Sequence, residues 1–375
     1  MLKRVYVDNF RTLVNFDLPL RELTLLLGPN GSGKTTVFEA VHAVRDFLCA
    51  EKTSNDLFPT GTLTRWETRD TQVFELALGE PIGEFVYHLE IQHDRIRQRC
   101  RVKSERLLHD GHTLYESKVD DAQLRARLYR DNYGVGPEVL VDWSRSGVAS
   151  IQPRPDNTLL TSFKKRMERV VVARLNPAVM GAFADQESVM LAWDASNFVA
   201  WFRYVASSDL DLMAKLRPAL TEVIVGLDTL SLAKHGDDAK ALVARFRLEE
   251  APGAGGVSYS CRFDELSDGE RVLLVLYALL ECAGPECTLC LDEPENFLAL
   301  REIQPWLNMV IDKAQSQAFQ TVLISHHPEL INALAVGAGR WLERPSGGPT
   351  RSREITDDGS GLAVADLVAR GWLHE

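Results

Sequence analysis

Residues 28–35 read GPNGSGKT. They directly follow the apolar run Leu23 to Leu27 and open a stretch whose apolar positions Val37, Ala40, Val41, Val44 and Leu48 recur at helical spacing. No other feature restricts the chain as much, because the octet fits G-x-x-x-x-G-K-[ST] in the strand, loop and helix context that gives this pattern a mechanism. Glycines let the loop wrap so that successive backbone N–H groups face phosphate oxygens, and the helix N-terminus adds a positive field. The cradle is expected to comprise Asn30, Gly31, Ser32, Gly33, Lys34, Thr35 and Thr36, with Lys34 reaching the β- and γ-phosphates and Thr35 ligating Mg²⁺.

A phosphate loop that works on its ligand needs an acidic element on a neighbouring strand. TLCLDEP at 288–294 supplies an apolar strand ending in two carboxylates. Asp292 is expected to hold Mg²⁺ through the outer shell, and Glu293 to orient and deprotonate an attacking water.

The rest of the chain organises around these two elements. Val5 to Val7 reads as a strand; Val73 to Leu78, Phe85 to Ile91 and Arg95 to Val102 follow, with a hairpin turn at Asp110-Gly111, so an antiparallel sheet is expected over about 70–150. From about 158 to 228 the pattern turns helical, with Pro153, Pro155, Pro177 and Pro218 marking breaks, and Gly253, Gly255 and Gly256 form a loop. The last third alternates apolar strands with helices, the pattern of a parallel sheet. The fold expected is therefore α/β, a phosphate-loop NTPase with a mostly parallel core sheet, an antiparallel β subdomain and a helical insertion. The expected segments are 1–150 with the phosphate loop and antiparallel sheet, 151–255 as a mainly helical insertion, and 256–375 with the acidic strand.

Composition excludes several classes. Lys and Arg number 42 against 53 Asp and Glu, a formal charge of −11, which opposes bulk coating of nucleic acid or anionic membrane. The longest apolar run, Val272 to Leu280, is less than half of the roughly 20 residues a membrane span needs. The opening MLKRVYVDNFRTL lacks the apolar stretch of a secretory signal, so a cytoplasmic protein with no membrane partner is expected. Six scattered cysteines are too sparse for a disulfide framework.

Two further segments carry a resemblance. LSDGE at 266–270 heads the apolar helix Val272 to Leu280, and the strand TVLIS runs into His326 and His327. With these, the chain resembles the ABC-type ATPases, and more closely the RecF, SMC and OLD-like branch, in which the phosphate loop (Walker A) opens the chain, an insertion follows, and the signature, acidic strand (Walker B) and switch histidine come late and close together. The spacings from Ser267 to Asp292 and from Asp292 to His326 are similar to the family's. DEPENFLAL followed by ISHHPELI is similar to the AAA-labelled bacterial predicted ATPases of this branch.

The resemblance implies ATP as the nucleotide and a head-to-tail homodimer, in which Ser267 and the Gly269 N–H touch the γ-phosphate on the partner's loop. His326 would sense that phosphate. Arg11, in the opening VDNFRTL, would lie near the nucleotide, Asn296 would belong to a loop crossing the dimer, and Gln72 is the candidate for the glutamine that contacts Mg²⁺. Asp268 and Glu270 depart from the family's glycine and glutamine. Taken alone, LSDGE also reads as a capping motif, Ser with Glu three residues on.

Other features carry blander readings. Arg95, Arg97, Arg99, Arg101 and Lys103 would share one face of a strand, a basic ladder that reads first as a solvated face and second as a DNA contact. Lys164, Lys165, Arg166 and Arg169 read the same way. Cys287 and Cys290 lie on the apolar strand that carries Asp292, where Cys is a small apolar residue. His88, His93, His109 and His112 show no ligand spacing. With only a short stretch after His327, the nuclease domain that some branch members append is not expected.

The function expected is Mg²⁺-dependent ATP hydrolysis at two composite sites of a homodimer, driving a nucleotide-gated conformational change. One alternative is a slow nucleotide-dependent sensor or scaffold in phage defence or toxin control, with a protein partner met through the insertion. Another is a DNA-repair or chromosome-associated clamp ATPase, although net charge does not indicate DNA.

Overall fold

The computed structural model describes residues 1–120, 123–209, 211–248, 257–282, 286–316, 319–356 and 362–370. The loop expected at Gly253, Gly255 and Gly256, and with it the expected boundary at 255/256, lies outside the described residues. The chain forms two compact units, Met1–Val170 with Ile331–Glu375, and Val171–Leu330.

The first unit begins with β1 (Leu2–Asp8), β2 (Phe16–Pro19), β3 (Leu23–Leu27), α1 (Lys34–Cys49) and the one-turn α2 (Ser54–Leu57). It continues through β4 (Thr71–Glu80), β5 (Gly83–Asp94), β6 (Arg99–His109), β7 (His112–Asp120), β8 (Gln123–Tyr129), β9 (Val135–Val141), the one-turn α3 (Gly147–Ser150) and α4 (Thr158–Glu168). An antiparallel sheet runs in the order β2-β1-β4-β5-β6-β7-β8-β9. β5 alternates buried Phe85, Tyr87, Leu89 and Ile91 with accessible Val86, His88, Glu90 and Gln92, the period of a sheet with one solvated face. The predicted hairpin is present: Asp110 and Gly111 have φ of 47° and 79°, and His109 faces His112.

On the solvated face, Arg4 pairs with Glu75, His88 lies 3.4 Å from both Glu75 and Glu90, and Lys103 reaches Glu90 at 2.8 Å. The hydrogen bond to Glu75, reinforced by Glu90, holds the His88 imidazole above its ordinary pKa against the opposing effect of burial.

The strand expected over Arg95–Val102 starts later. Asp94 accepts hydrogen bonds from the N–H groups of Ile96 and Arg97, and Gln98 has φ of 52°, so 95–98 form a turn and only Arg99, Arg101 and Lys103 remain on one strand face. The five-cation ladder is corrected to three, of which Lys103 is paired and Arg101 bonds Gln92 and stacks over Trp143.

The second unit contains β10 (Val170–Ala173, straddling the boundary), β11 (Phe183–Ala184), α5 (Phe198–Ser208), α6 (Leu212–Val223), β12 (Leu227–His235), β13 (Ala239–Arg247) and β14 (Ser258–Arg262). It ends with α7 (Asp268–Cys282), β15 (Thr288–Asp292), α8 (Leu300–Gln315) and β16 (Gln320–Ile324). β15 and β16 are parallel and buried along their whole length, which explains their unbroken apolar sequences. α6 continues through Pro218, with Leu212, Leu216 and Leu220 buried, so that proline marks no break. Segment 151–255 thus holds helices and also most of a second antiparallel sheet, β11-β13-β12 with β14 on β13. Cys287 and Cys290 are buried in β15.

After α9 (Pro328–Ala338), which crosses the boundary, the chain returns to the first unit with β17 (Gly339–Glu343), β18 (Arg351–Glu354) and α10 (Val364–Arg370). β17 lies parallel to β3 and antiparallel to β18, so the strand before the phosphate loop has a neighbour drawn from the far end of the chain.

Candidate functional site

In the first unit, β3 delivers the chain into a loop that only glycine permits at three points. Gly28, Gly31 and Gly33 have φ of 145°, 76° and 101°. A Cβ at Gly28 would stand 2.0 Å from the Leu342 carbonyl oxygen, and one at Gly33 2.6 Å from Thr350 Oγ1. Gly33 precedes α1, whose first turn carries no acidic residue to oppose an anion. The buried Lys34 ammonium donates to the carbonyls of Gly28 at 2.7 Å and Pro29 at 3.1 Å, which holds it at the mouth of the loop. Ser32 Oγ is buried without a hydrogen-bond partner among the described residues. Asn30 and Gly31 are exposed, and Thr35 and Thr36 half-buried, at the helix start. A glycine cradle, an unopposed helix N-terminus, a lysine and an orphaned hydroxyl together fit a chain of phosphates.

Three residues that the sequence did not single out brace this loop. Thr350 Oγ1 lies 2.9 Å from Ser32 O and 3.0 Å from Thr12 Oγ1, while its N–H donates to Thr12 O. Arg344 donates to the carbonyls of Gly348, Gly347 and Gly31, and its guanidinium lies 5.5 Å from the centre of the Trp66 ring.

Arg11, in a left-handed conformation, pairs with Glu39 of α1 at 3.1 Å. Gln72, the candidate for the Mg²⁺-contacting glutamine, is fully buried: its Nε2 donates to Asn9 O and Thr62 Oγ1, and its Oε1 accepts from His93 Nε2 at 2.9 Å. Burial lowers His93 to about 4, so its imidazole is neutral at pH 7 and donates from Nε2.

In the second unit, β15 ends at the buried Asp292, and Glu293 follows with φ of 50°, its N–H donating to Ile324 O of β16. The Glu293 carboxylate accepts from Asn296 Nδ2 at 3.0 Å and lies 3.5 Å from the Arg174 guanidinium. Asn296 thus supports the carboxylate of its own chain. His326 is exposed at the end of β16. His327 is tied to the start of α9, its Nδ1 accepting the Glu329 N–H.

Ser267 donates from both N–H and hydroxyl to Glu270 Oε2, and the Glu270 N–H returns to Ser267 Oγ, a reciprocal capping box. A Cβ at Gly269 would stand 2.9 Å from Phe297 O. Ser267, Gly269, Glu270, Phe297, Arg301 and Glu302 help line a pocket of about 380 Å³. Glu295 is a third acid at the strand tip that the motif reading passed over, although DEPEN displays it; Arg174 carried no local signal.

Residues 23–332, well over half of the chain, match the protein family described as "AAA domain, putative AbiEii toxin, Type IV TA system". The chain belongs to this AAA domain family. The chain is also 57% identical over 44 residues to the OLD nuclease of Thermus scotoductus (strain ATCC 700910 / SA-01), a match spanning 12% of this chain and 8% of that protein. Among solved structures, an Smc head domain with a coiled coil and joint derived from Pyrococcus yayanosii has a TM-score of 0.54 at 8% identity, covering 99% of each chain. An Smc head bound to the C-winged helix domain of ScpA has a TM-score of 0.52 at 10% identity, covering 94% of this chain and 98% of that chain. The fold is that of a P-loop NTPase head of the SMC type, as the sequence resemblance implied, and the chain is similar to ATPases of the ABC, SMC and OLD-like group. Among the described residues no helix is long and apolar enough to cross a membrane.

Proposed function

We propose that this AAA domain hydrolyses ATP with Mg²⁺ at two composite sites of a head-to-tail homodimer and converts nucleotide state into conformational change. The observation that carries the reading is the glycine cradle of 28–33 with Lys34 held at its mouth. In it the backbone N–H groups and Lys34 bind the phosphate chain. The Thr35 hydroxyl and Asp292 carboxylate are the hard oxygen donors that suit Mg²⁺, which when bound offsets charge on the phosphate oxygens. Glu293, steadied by Asn296, orients a water and accepts its proton. His326, exposed beyond the end of β16, senses the nucleotide's distal phosphate, while Ser267 and Gly269 act on the nucleotide of a second chain. A cytoplasmic setting belongs to the same reading.

Light-scattering mass of Glu293→Gln with and without Mg-ATP, beside phosphate release by wild type, tests it. One chain should become two only with ATP, and turnover should vanish in the variant. A wild type that releases no phosphate, or a variant that turns over normally, overturns the proposal.

A second reading draws on the family description, which names a toxin and a TA system: a slow nucleotide-gated sensor whose output is partner binding, with segment 151–255 as the partner surface. The solved Smc head with a bound ScpA domain supports a protein partner by analogy. Turnover below about one per minute with ATP-dependent capture of a protein would favour it over the hydrolytic motor.

A further inference from the structure

Glu295 is a carboxylic acid that the hydrolytic scheme leaves without a task. It is 9% exposed, three positions beyond Asp292, and burial pushes its carboxyl above the ordinary value. Its Oε1 accepts from Ser325 Oγ at 2.5 Å and from the His326 N–H at 3.2 Å. Ser325, fully buried, in turn accepts the His327 N–H on its hydroxyl at 3.0 Å. Glu295 Oε2 is buried with no hydrogen-bond partner among the described residues.

Burying an acid this deeply, with one oxygen unsatisfied, opposes stability, so a neutral or apolar residue would suit a merely structural position better. What the carboxylate supplies is a join. It ties the loop that carries Glu293 to the backbone on which His326 stands, and a second bond, from the Glu293 N–H to Ile324 O, links the same two segments two residues before Glu295 and two before His326.

We propose that Glu295 is a positioning residue that locks the switch-histidine loop to the Glu293 loop, so that the histidine and the base move as one body. The inference rests on the hydrolytic reading above, in which Glu293 and His326 serve one nucleotide. Ser325 is the second half of the lock: its hydroxyl passes the hold from Glu295 to the N–H of His327. His326 itself keeps an exposed ring because its backbone, not its imidazole, is what Glu295 grips.

The test uses the full chain with Glu295→Ala, Glu295→Gln and Ser325→Ala, reading phosphate release and backbone hydrogen exchange at 324–329. Glu295→Ala should lower kcat about 10- to 100-fold, the usual cost of losing an orienting partner, with KM altered less than about threefold. Glu295→Gln keeps an acceptor oxygen and should stay within about threefold of wild type. Exchange at His326 and His327 should quicken at least about tenfold in Glu295→Ala and return towards wild type in Glu295→Gln. Wild-type kcat in Glu295→Ala, or unchanged exchange, overturns the proposal. If wild type itself hydrolyses nothing, the hydrolytic reading has failed, and exchange alone decides whether Glu295 holds the loop. Should Glu295→Ala not fold, Ser325→Ala breaks the lock from the other side and must lower kcat and quicken exchange at His327; failure to do either refutes the lock.

Discussion

Thr350 Oγ1 lies 2.9 Å from the carbonyl oxygen of Ser32, so a residue near the end of the chain holds the phosphate loop near its start. Thr350 is fully buried, and its N–H and hydroxyl reach Thr12 as well, which joins three separate segments behind the cradle. Thr350→Val keeps the shape and removes the hydroxyl, leaving the Ser32 carbonyl short of a partner at about 1 to 2 kcal/mol. Nucleotide affinity, measured by titration with a fluorescent ATP, should weaken about 5- to 30-fold. Unchanged affinity would show that the brace is idle.

Gly28 carries a harder constraint. Its φ of 145° and the 2.0 Å approach of Leu342 O to an added Cβ mean that Gly28→Ala must displace β17 or the loop. The backbone strain alone costs of order 1 to 3 kcal/mol. The variant should melt several degrees below wild type, and lose nucleotide binding even at temperatures where it is folded; wild-type melting and affinity together would contradict the geometry.

Glu270 places a carboxylate at the helix N-terminus expected to meet a partner's γ-phosphate, and it occupies both the N–H and the hydroxyl of Ser267. Glu270→Gln removes the like charge and keeps much of the cap. In a Glu293→Gln background the variant should dimerise with Mg-ATP at a concentration about 3- to 10-fold lower, read by light scattering across a dilution series. Weaker dimerisation would mean that the capping box itself, not the charge, governs this surface.

His88 makes stability depend on pH with a definite sign. Its folded pKa is raised above 6.5 by Glu75 and Glu90, so its contribution is complete below the unfolded value and is lost as pH rises through the folded one. The melting temperature of wild type should therefore exceed that of His88→Gln at pH 5.5, and the gap should close as pH rises above the ordinary histidine value and through the raised folded one. A gap that widens with rising pH would reverse the assignment.

Much of this was written locally. The phosphate loop, its helix, the Asp110-Gly111 hairpin and the all-buried β15 each follow from residues within a few positions of one another, because a positive φ, a hydrophobic period or a missing side chain acts at that range. Where the reading went astray, a side chain intervened: Asp94 drew the N–H groups of Ile96 and Arg97 into a turn and shortened the expected strand. The second antiparallel sheet escaped notice because β12 and β13 mix apolar and polar residues without a sharp period, and their pairing supplies what their patterns lack.

From its sequence alone the chain was determined to be an α/β phosphate-loop protein with an acidic strand tip, a capped signature-like helix and a histidine at a strand end, since each is a short-range matter of backbone freedom and hydrophobic run. Only the tertiary structure decided which polar groups those elements would spend on one another: Gln72 on Asn9 and His93, Glu295 on Ser325 and His326, Thr350 and Arg344 on the phosphate loop. Such partners come from residues tens to hundreds of positions apart. The need to satisfy a buried donor or acceptor is general, but which residue meets it is fixed by how strands are ordered in space.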